Sequence, residues 1–148
     1  MGRGTARVSR TERLDREKIM TRKVERTERG WAGHFISASR CLFRRNTLLH
    51  SGNVRIIVST VGQMVVGGEI VDLGDGGIYE TMAFHACFDD PYWDADVHRN
   101  VDFDAEWQIR GGPRPGVDIE ANDMHEAVVD EVTERIRAGE YDDSPQAE

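Results

Sequence analysis

The segment from residue 41 to residue 66 constrains the fold most strongly, because it contains two strand-like runs separated by the turn sequence Ser51-Gly52-Asn53. Residues 54 to 60 carry apolar side chains on both faces of their alternation. A strand that is apolar on both faces is typical of the centre of a sheet. We therefore predict a hairpin whose second strand is central in its sheet.

Alternating apolar and polar residues predict further strands along the chain. The alternation has period two over residues 78–88 and over residues 101–109, which is the repeat of a strand with one buried face. Shorter strands are expected at residues 34–37 and 63–70. The polar segment 89–100 contains Pro91 and is expected to be a connection.

The C-terminal third predicts one helix, from residue 122 to residue 137. Asn122 is the expected N-cap and Gly139 the expected end, because these residue types favour helix termini. An apolar residue recurs every four positions on one face, at Met124, Val128, Val132 and Ile136. The fold class predicted is therefore α+β, with an antiparallel sheet of about five strands and this helix packed on one face.

Charge divides the chain into three parts. Residues 1–30 contain ten Lys/Arg and five Asp/Glu, residues 31–87 contain four of each, and residues 88–148 contain five basic and eighteen acidic residues. We interpret residues 1–29 as a basic flexible arm, 30–138 as a single domain and 139–148 as an acidic tail. Such asymmetry would let the arm meet nucleic acid while the acidic part repels or imitates it.

Compartment and redox state follow from what the chain contains. It has no apolar run of the roughly 18 residues that a membrane span requires, and its arginine-rich N-terminus has no apolar signal region. Two cysteines, Cys41 and Cys87, are too few for a disulfide scaffold and are expected to be free thiols. We therefore expect a cytoplasmic protein without a membrane partner.

No catalytic or metal-binding signature stands out. The chain has neither a nucleophile elbow nor a P-loop, and clustered carboxylates at residues 89–96 do not fit a calcium loop. The histidines and cysteines considered for zinc, which lack the usual paired spacing, are His34, Cys41, His85, Cys87 and His98. We expect no metal, no cofactor and, on balance, no enzymatic activity.

Two consecutive arginines, Arg44 and Arg45, followed by Asn46, form the best candidate ligand site. Neighbouring strand residues point to opposite faces, so at least one arginine should face the core or a cleft. A buried guanidinium requires an anionic or carbonyl partner. Either arginine could form a structural ion pair with Glu80, or both could bind an anionic ligand such as a nucleotide, with Tyr79 and Glu80 lining the pocket.

Several strings in the chain resemble a family of small proteins found in phages, prophages and other mobile elements. They are RGWAGHFI at 29–36, FRRNTLL at 43–49, VSTVG at 58–62, YETMAF at 79–84, DADV at 94–97 and ANDMHEAVV at 121–129. The resemblance covers residues 29–137. It implies a genomic setting inside a host cell and carries over no catalytic residues.

The leading functional expectation is a mobile-element accessory protein that acts by binding. Its acidic faces, residues 89–106 and 123–143, would contact a host protein or a nucleic-acid-handling complex, for example as an inhibitor of host defence. The proposed partner-binding residues are Asp94, Asp96, Asp102, Asp104 and Glu106. One alternative is a nucleotide-binding or nucleotide-cleaving protein, and another is a DNA-binding protein that uses residues 3–29.

Overall fold

The computed structural model describes residues 9–13, 22–29, 41–66, 69–71, 78–89, 91–102, 107–110 and 116–145. The strands are β1 (Glu25–Arg29), β2 (Cys41–Ser51), β3 (Val54–Val66), β4 (Glu69–Val71), β5 (Ile78–Asp89), β6 (Tyr92–Asp102) and β7 (Gln108–Arg110). The helix α1 (Val117–Arg137) follows them. A single helical turn also occurs at residues 10–13.

All seven strands belong to one antiparallel sheet. Five of them form the continuous order β1-β2-β3-β5-β6, while β4 pairs with β3 and β7 pairs with β5. The helix α1 packs against β2, β3 and β5. The predicted α+β fold, an antiparallel sheet of about five strands with one C-terminal helix on a face, is confirmed.

The hairpin of β2 and β3 forms the centre of the sheet, as predicted. Ser51 pairs with Val54 across the turn. Gly52 adopts a φ of 58° there, a conformation that glycine reaches without steric cost. Ile56, Ile57 and Val58 in β3 are all fully buried, which is the result of having sheet neighbours on both sides and side chains covered on both faces.

The hydrophobic core lies between α1 and the sheet. Its buried members are Leu49, Ile56, Val58, Ala83, Trp107, Val128, Val129, Val132 and Ile136. Burying each large aliphatic side chain contributes roughly 1.5–3 kcal/mol. This core fixes α1 across the middle strands and so determines which polar groups of the helix meet the sheet.

The start of α1 differs from the prediction. The helix begins at Val117, after Gly116 with a φ of 83°, and not at Asn122, so the predicted N-cap is wrong. The apolar stripe of the helix extends toward its N-terminus, because Val117 and Ala121 are buried against Tyr79. The predicted end is confirmed: Gly139 has a φ of 72° and its N–H donates to the carbonyl of Ile136 at 3.0 Å.

Several strands differ from the sequence-based expectation. Residues 63–66 extend β3 and residues 69–71 form β4, where one short strand was expected over 63–70. The segment expected as a connection forms β6, in which Cys87 of β5 pairs with Asp94 and Phe88 pairs with Trp93. The prediction of one strand over residues 101–109 is wrong, because β6 ends at Asp102 and β7 begins at Gln108. Register shifts in the β5–β6 pairing interrupt the period of two. Residues 103–106 and the expected strand at 34–37 lie outside the described residues.

Strand β1 comes from the segment that the sequence assigned to a flexible arm. Its sequence, Glu-Arg-Thr-Glu-Arg, has no apolar alternation, and the strand joins the sheet edge through backbone pairing with β2. Residues 25–29 therefore belong to the sheet.

In the described ranges, no helix is long and apolar enough to cross a membrane.

Candidate functional site

A polar strip crosses the buried face of the sheet directly beneath α1. Thr47 of β2, Thr60 of β3 and Thr81 of β5 are all fully buried, and Thr60 pairs with Thr81 across the strands. Each occupies a position in its strand's alternation that points toward the helix. The side chain that α1 brings to this strip is His125, which is also fully buried.

His125 has a hydrogen-bond partner on each ring nitrogen. Nε2 lies 2.7 Å from Thr47 Oγ1, and Nδ1 lies 2.7 Å from Thr60 Oγ1. The hydroxyl of Thr60 lies 2.6 Å from that of Thr81. Thr47 in turn donates to Glu28 Oε2 at 2.7 Å. A continuous chain of hydrogen bonds therefore runs from the centre of the sheet to its β1 edge.

The direction of this chain follows from its acidic end. An ionised carboxylate only accepts, so the single proton of the Thr47 hydroxyl goes to Glu28. Thr47 must then accept from His125 Nε2–H, which leaves Nδ1 as the acceptor for Thr60. The inferred tautomer of His125 is the Nε2–H form, and every donor in the chain has one acceptor.

The surroundings keep His125 neutral. Burial, and after it the nearby positive charge of Arg45, lower the pKa of His125 to about 4. Burial raises the pKa of Glu28, but the hydrogen bonds from Thr47 and Arg45 outweigh that effect and the net pKa is lowered. A buried neutral imidazole with both nitrogens engaged has no free lone pair for a substrate. The arrangement holds α1 on the sheet.

At the β1 edge the chain ends in four charged side chains, Arg26, Glu28, Arg45 and Glu126, which we call the rim cluster. Arg45 donates to Glu28 Oε1 at 2.6 Å and to Glu126 Oε1 at 2.8 Å. Arg26 donates to both oxygens of Glu126, at 2.7 and 2.8 Å. The hydrogen bonds and positive charges of Arg26 and, after it, Arg45 lower the pKa of Glu126 to about 2. These contacts join β1, β2 and α1.

The five predicted ligand residues are divided between the two faces of the sheet. Tyr79 and Arg45 lie on the α1 face, where the Tyr79 hydroxyl donates to Asp118 Oδ1 at 3.3 Å. The other face of the sheet carries Arg44, Asn46 and Glu80. On that face, Arg44 in β2 and Glu80 in β5 both lie opposite Val61 in the strand pairing. The structure therefore does not bring these five residues into one pocket.

Of the two ion pairs considered for Glu80, the one with Arg45 is wrong for the same reason, and the one with Arg44 stays a prediction. Arg45 points toward α1 and binds Glu28 and Glu126, whereas Glu80 follows Tyr79 and points away from the helix. Arg44 is exposed and Asn46 is fully buried on that opposite face. The sequence could not supply Glu28 as a partner, because β1 was not recognised as a strand.

The predicted partner-binding carboxylates of β6 are engaged with arginines of the same chain. Asp94 Oδ1 lies 3.5 Å from Arg29 Nη2, and Asp96 Oδ2 lies 3.3 Å from Arg99 Nε. The side chain of Asp102, and residues 103–106 with Asp104 and Glu106, lie outside the part that the structure describes. Their role in partner binding stays a prediction.

The residues considered for zinc do not converge within the described ranges. His85 Nδ1 lies 2.8 Å from Ser144 Oγ, and Cys87 is a free thiol whose pKa is raised by burial and by nearby aspartates. No group of three or more His, Cys, Asp or Glu side chains in the described residues could hold a metal ion. His34 and the side chain of Cys41 lie outside them.

The exposed side of α1 is strongly acidic. Residues 117–134 contain seven carboxylates and no lysine or arginine. Six of these carboxylates are exposed: Asp118, Glu120, Asp123, Asp130, Glu131 and Glu134. Glu140, Asp142 and Asp143 continue the exposed acidic surface after the helix. We call these nine residues the acidic face.

Comparisons of the chain with models of known families, with curated proteins and with solved structures find no match. The described residues include a buried polar network with a structural role and an acidic face open to solvent.

Proposed function

We propose that the protein acts by binding a basic surface of another protein through the acidic face of α1 and the segment after it. The observation that supports this proposal is the run of seven carboxylates without a basic residue over residues 117–134, six of them exposed. Arg135 and Arg137 pair with Glu131 and Glu134, and a large excess of negative charge remains on this surface. Such a surface attracts positively charged partners and repels nucleic acid.

The charge density of the acidic face is comparable with that of a nucleic acid strand. Eighteen helical residues span about 27 Å at 1.5 Å per residue. The six exposed carboxylates over that length give about one negative charge per 4.5 Å, against one phosphate per roughly 3.4 Å along one strand of DNA. A protein site built to bind a phosphate backbone would therefore be attracted to this helix.

The mobile-element resemblance suggests which basic partner to seek. A phage or prophage protein acts inside a host cell, where nucleic-acid-handling complexes, including defence systems, carry cationic surfaces. We therefore propose a host complex of this kind as the target and competition with its nucleic acid as the mode of action.

Part of the basic segment that could have contacted DNA is engaged elsewhere in the fold. Arg22 Nη1 donates to the carbonyl of Ile136 at 3.2 Å, and Arg26 binds Glu126. Arg29 is turned inward, with its side chain only 8% exposed. These contacts make residues 22–29 a poorer DNA-binding arm than their composition suggests and favour the acidic face as the contact surface.

The test compares two variants with the same change in charge. The helix variant carries Asp123→Asn, Asp130→Asn and Glu134→Gln on the acidic face. The control variant carries Glu12→Gln, Glu25→Gln and Asp89→Asn, at three exposed carboxylates away from α1. Each protein is immobilised, exposed to nuclease-treated lysate of the natural host, and the retained proteins are quantified by mass spectrometry with and without excess duplex DNA.

We expect the wild type and the control variant to retain the same host proteins, and excess duplex DNA to release these proteins. The helix variant should retain at least about tenfold less of them. The magnitude reflects the loss of three surface charges from a complementary interface. Equal retention by the helix variant and the wild type would overturn the proposal. So would the absence of any retained protein that duplex DNA displaces.

A further inference from the structure

Two side-chain donors are buried without a partner on the face of the sheet opposite α1. They are Nδ2 of Asn46 and Nη1 of Arg55, and neither has a hydrogen-bond partner within the part of the chain that the structure describes. Asn46 is fully buried. Native proteins rarely leave such donors unpaired, because each costs the free energy of its desolvation, and a charged one costs more.

The orientation of the Asn46 amide is determined by its neighbour. Arg29 Nε donates to Asn46 Oδ1 at 2.9 Å. A guanidinium has only donors, so it must meet the oxygen of the amide and not its nitrogen. The NH₂ group of Asn46 therefore points away from Arg29 and is left to donate to something else.

Both unpaired donors belong to one group of residues around Trp93. Arg29 Nη1 donates to the backbone carbonyl of Trp93. The guanidinium of Arg55 lies over the Trp93 ring, 4.1 Å from its centroid. Arg29, Asn46, Arg55 and Trp93 are thus linked through direct contacts, and we call them the Trp93 cluster.

These contacts also show how the sheet is shaped there. Arg29 is at the end of β1 and Trp93 is near the start of β6, the two outermost strands of the order β1-β2-β3-β5-β6. A side chain of one can reach the other only if the sheet curls on the face away from α1. The curl encloses the Trp93 cluster between the outermost strands.

The two unpaired donors of the cluster need a hydrogen-bond acceptor, and the positive charge of the cluster favours one that is negatively charged. Both unpaired groups are donors, and one of them is part of a guanidinium. Arg29, whose side chain is only 8% exposed, adds a buried positive charge beside them, and burial lowers its pKa more than Asp94 raises it.

The Trp93 cluster lies next to exposed aromatic side chains. Trp93 is only partly buried, its ring contacts Phe88 at a centroid distance of 5.4 Å, and Phe88 and Tyr92 are both exposed at the β5–β6 turn. Exposed aromatic side chains beside a cationic group are common at ligand sites.

We propose that the Trp93 cluster binds a small oxyanion, a carboxylate or a phosphate, with Asn46 Nδ2 and Arg55 Nη1 donating hydrogen bonds to it. Arg29 holds Asn46 in the required orientation and adds positive charge. This site differs from the nucleotide pocket expected from the sequence, with which it shares only Asn46. It is also independent of the acidic face, so either proposal can fail without the other.

The test titrates the full-length wild-type protein with inorganic phosphate and, separately, with acetate and succinate. The side-chain Nδ2–H₂ signals of Asn46 and the guanidinium signals of Arg55 are followed by ¹⁵N NMR, and the melting temperature is recorded at the same concentrations. We expect saturable shifts of both sets of signals and a rise in melting temperature of about 3 °C at ten times the dissociation constant. A response to phosphate alone or to carboxylates alone identifies the chemical source.

Three variants test whether the binding belongs to the cluster. Asn46→Asp replaces the donor with a like charge, and Arg55→Lys retains the charge but loses the guanidinium donor. Arg99→Gln, at an exposed arginine of the same strand as Trp93, is the control. We expect at least tenfold weaker binding for the first two and unchanged binding for the control, with folding checked by circular dichroism.

The wild-type titration decides the proposal even if a cluster variant fails to fold. Absence of saturable shifts at Asn46 and Arg55 with every anion would overturn it. Water cross-peaks at the Asn46 amide that no anion displaces would also overturn it, since water would then be the partner of these donors. Shifts that persist in both folded cluster variants would place the anion elsewhere.

Discussion

His125 Nε2 on α1 lies 2.7 Å from Thr47 Oγ1 on β2, and this contact links the helix to the sheet inside the core. An apolar stripe alone allows a helix to slide or rotate on a sheet at small cost. The imidazole, in contrast, is satisfied on both nitrogens in only one docked position, with Thr47 on one side and Thr60 on the other. The polar network therefore specifies how α1 is placed.

Replacing His125 with leucine should destabilise the protein by about 2–4 kcal/mol. Leucine fills much of the volume, but Thr60 loses the acceptor for its proton and Thr47 loses a donor in a fully buried site. The free energy of unfolding from urea titration measures the loss. Asn122→Leu, at an exposed position of the same helix, is the control and should stay within about 0.5 kcal/mol of wild type. Equal effects of the two substitutions would contradict a role for the network.

The stability of the protein should fall as the pH decreases from about 6.5 to about 4. The pKa of His125 is about 4 in the folded protein, against an ordinary value of 6.5 in the unfolded chain. Between these values the unfolded state binds a proton that the folded state does not, so acid favours unfolding. The full effect is roughly 3 kcal/mol, since each pKa unit corresponds to about 1.4 kcal/mol.

Urea titrations at pH 7.5 and pH 5.0 test this pH dependence. The groups that face His125 are Glu28, Glu126, Arg45 and Arg26. The pKa of Glu126 is lowered to about 2 from an ordinary value of 4.5, so its contribution is lost at lower pH than that of His125. We expect a loss of about 2 kcal/mol between the two conditions in the wild type. His125→Gln should remove most of it, and an unchanged slope in that variant would assign the effect to other groups.

The rim cluster should contribute more to the free energy of unfolding than an exposed ion pair on α1 does. Arg45 contacts both Glu28 and Glu126, and its side chain is only 20% exposed, whereas Arg137 and Glu134 form an i,i+3 pair at the surface. Arg45→Ala should cost about 1–2 kcal/mol because two carboxylates lose a shared partner. Arg137→Ala should cost less than about 0.5 kcal/mol. Urea titrations at 50 mM and 500 mM salt measure both, and equal costs would rule out cooperation in the cluster.

The sequence correctly predicted the elements whose own pattern of apolar residues shows which side chains are buried. The β2–β3 hairpin and β5 alternate clearly, and the C-terminal part of α1 has an unbroken apolar stripe. Strand β1 was missed because all its side chains are charged or polar and its stability comes from pairing with β2. Strand β6 was missed because Pro91 and the many polar residues suggested a connection, although Trp93, Ala95 and Val97 alternate with polar residues.

The polar network could be foreseen only in part. Thr47, Thr60 and Thr81 occupy inward positions of three strands, and a hydroxyl repeated at such positions is a signal that could have been noticed. Their convergence on His125 depends on strand order and on the helix start, which are long-range properties of the fold. The Trp93 cluster depends on contacts between the two outermost strands, and no local pattern encodes those contacts.

Gly62 should tolerate no larger residue while Tyr79 is in place. A Cβ atom added at Gly62 would lie 2.5 Å from Cγ of Tyr79, whose side chain is fully buried and packed against α1 residues Val117 and Ala121. The tyrosine cannot move aside without disturbing the helix, so Gly62→Ala should cost about 1–3 kcal/mol even though alanine suits a strand better than glycine does.

A double-mutant cycle with Tyr79→Leu separates this clash from other effects of alanine at position 62. Leucine at position 79 leaves room for the added methyl group, so Gly62→Ala should cost less than about 0.5 kcal/mol in that background, and the coupling energy should account for most of the single-variant loss. Urea titrations of the four proteins measure it. If alanine at position 62 costs the same in both backgrounds, close packing against the Tyr79 ring is not the reason that glycine is needed there.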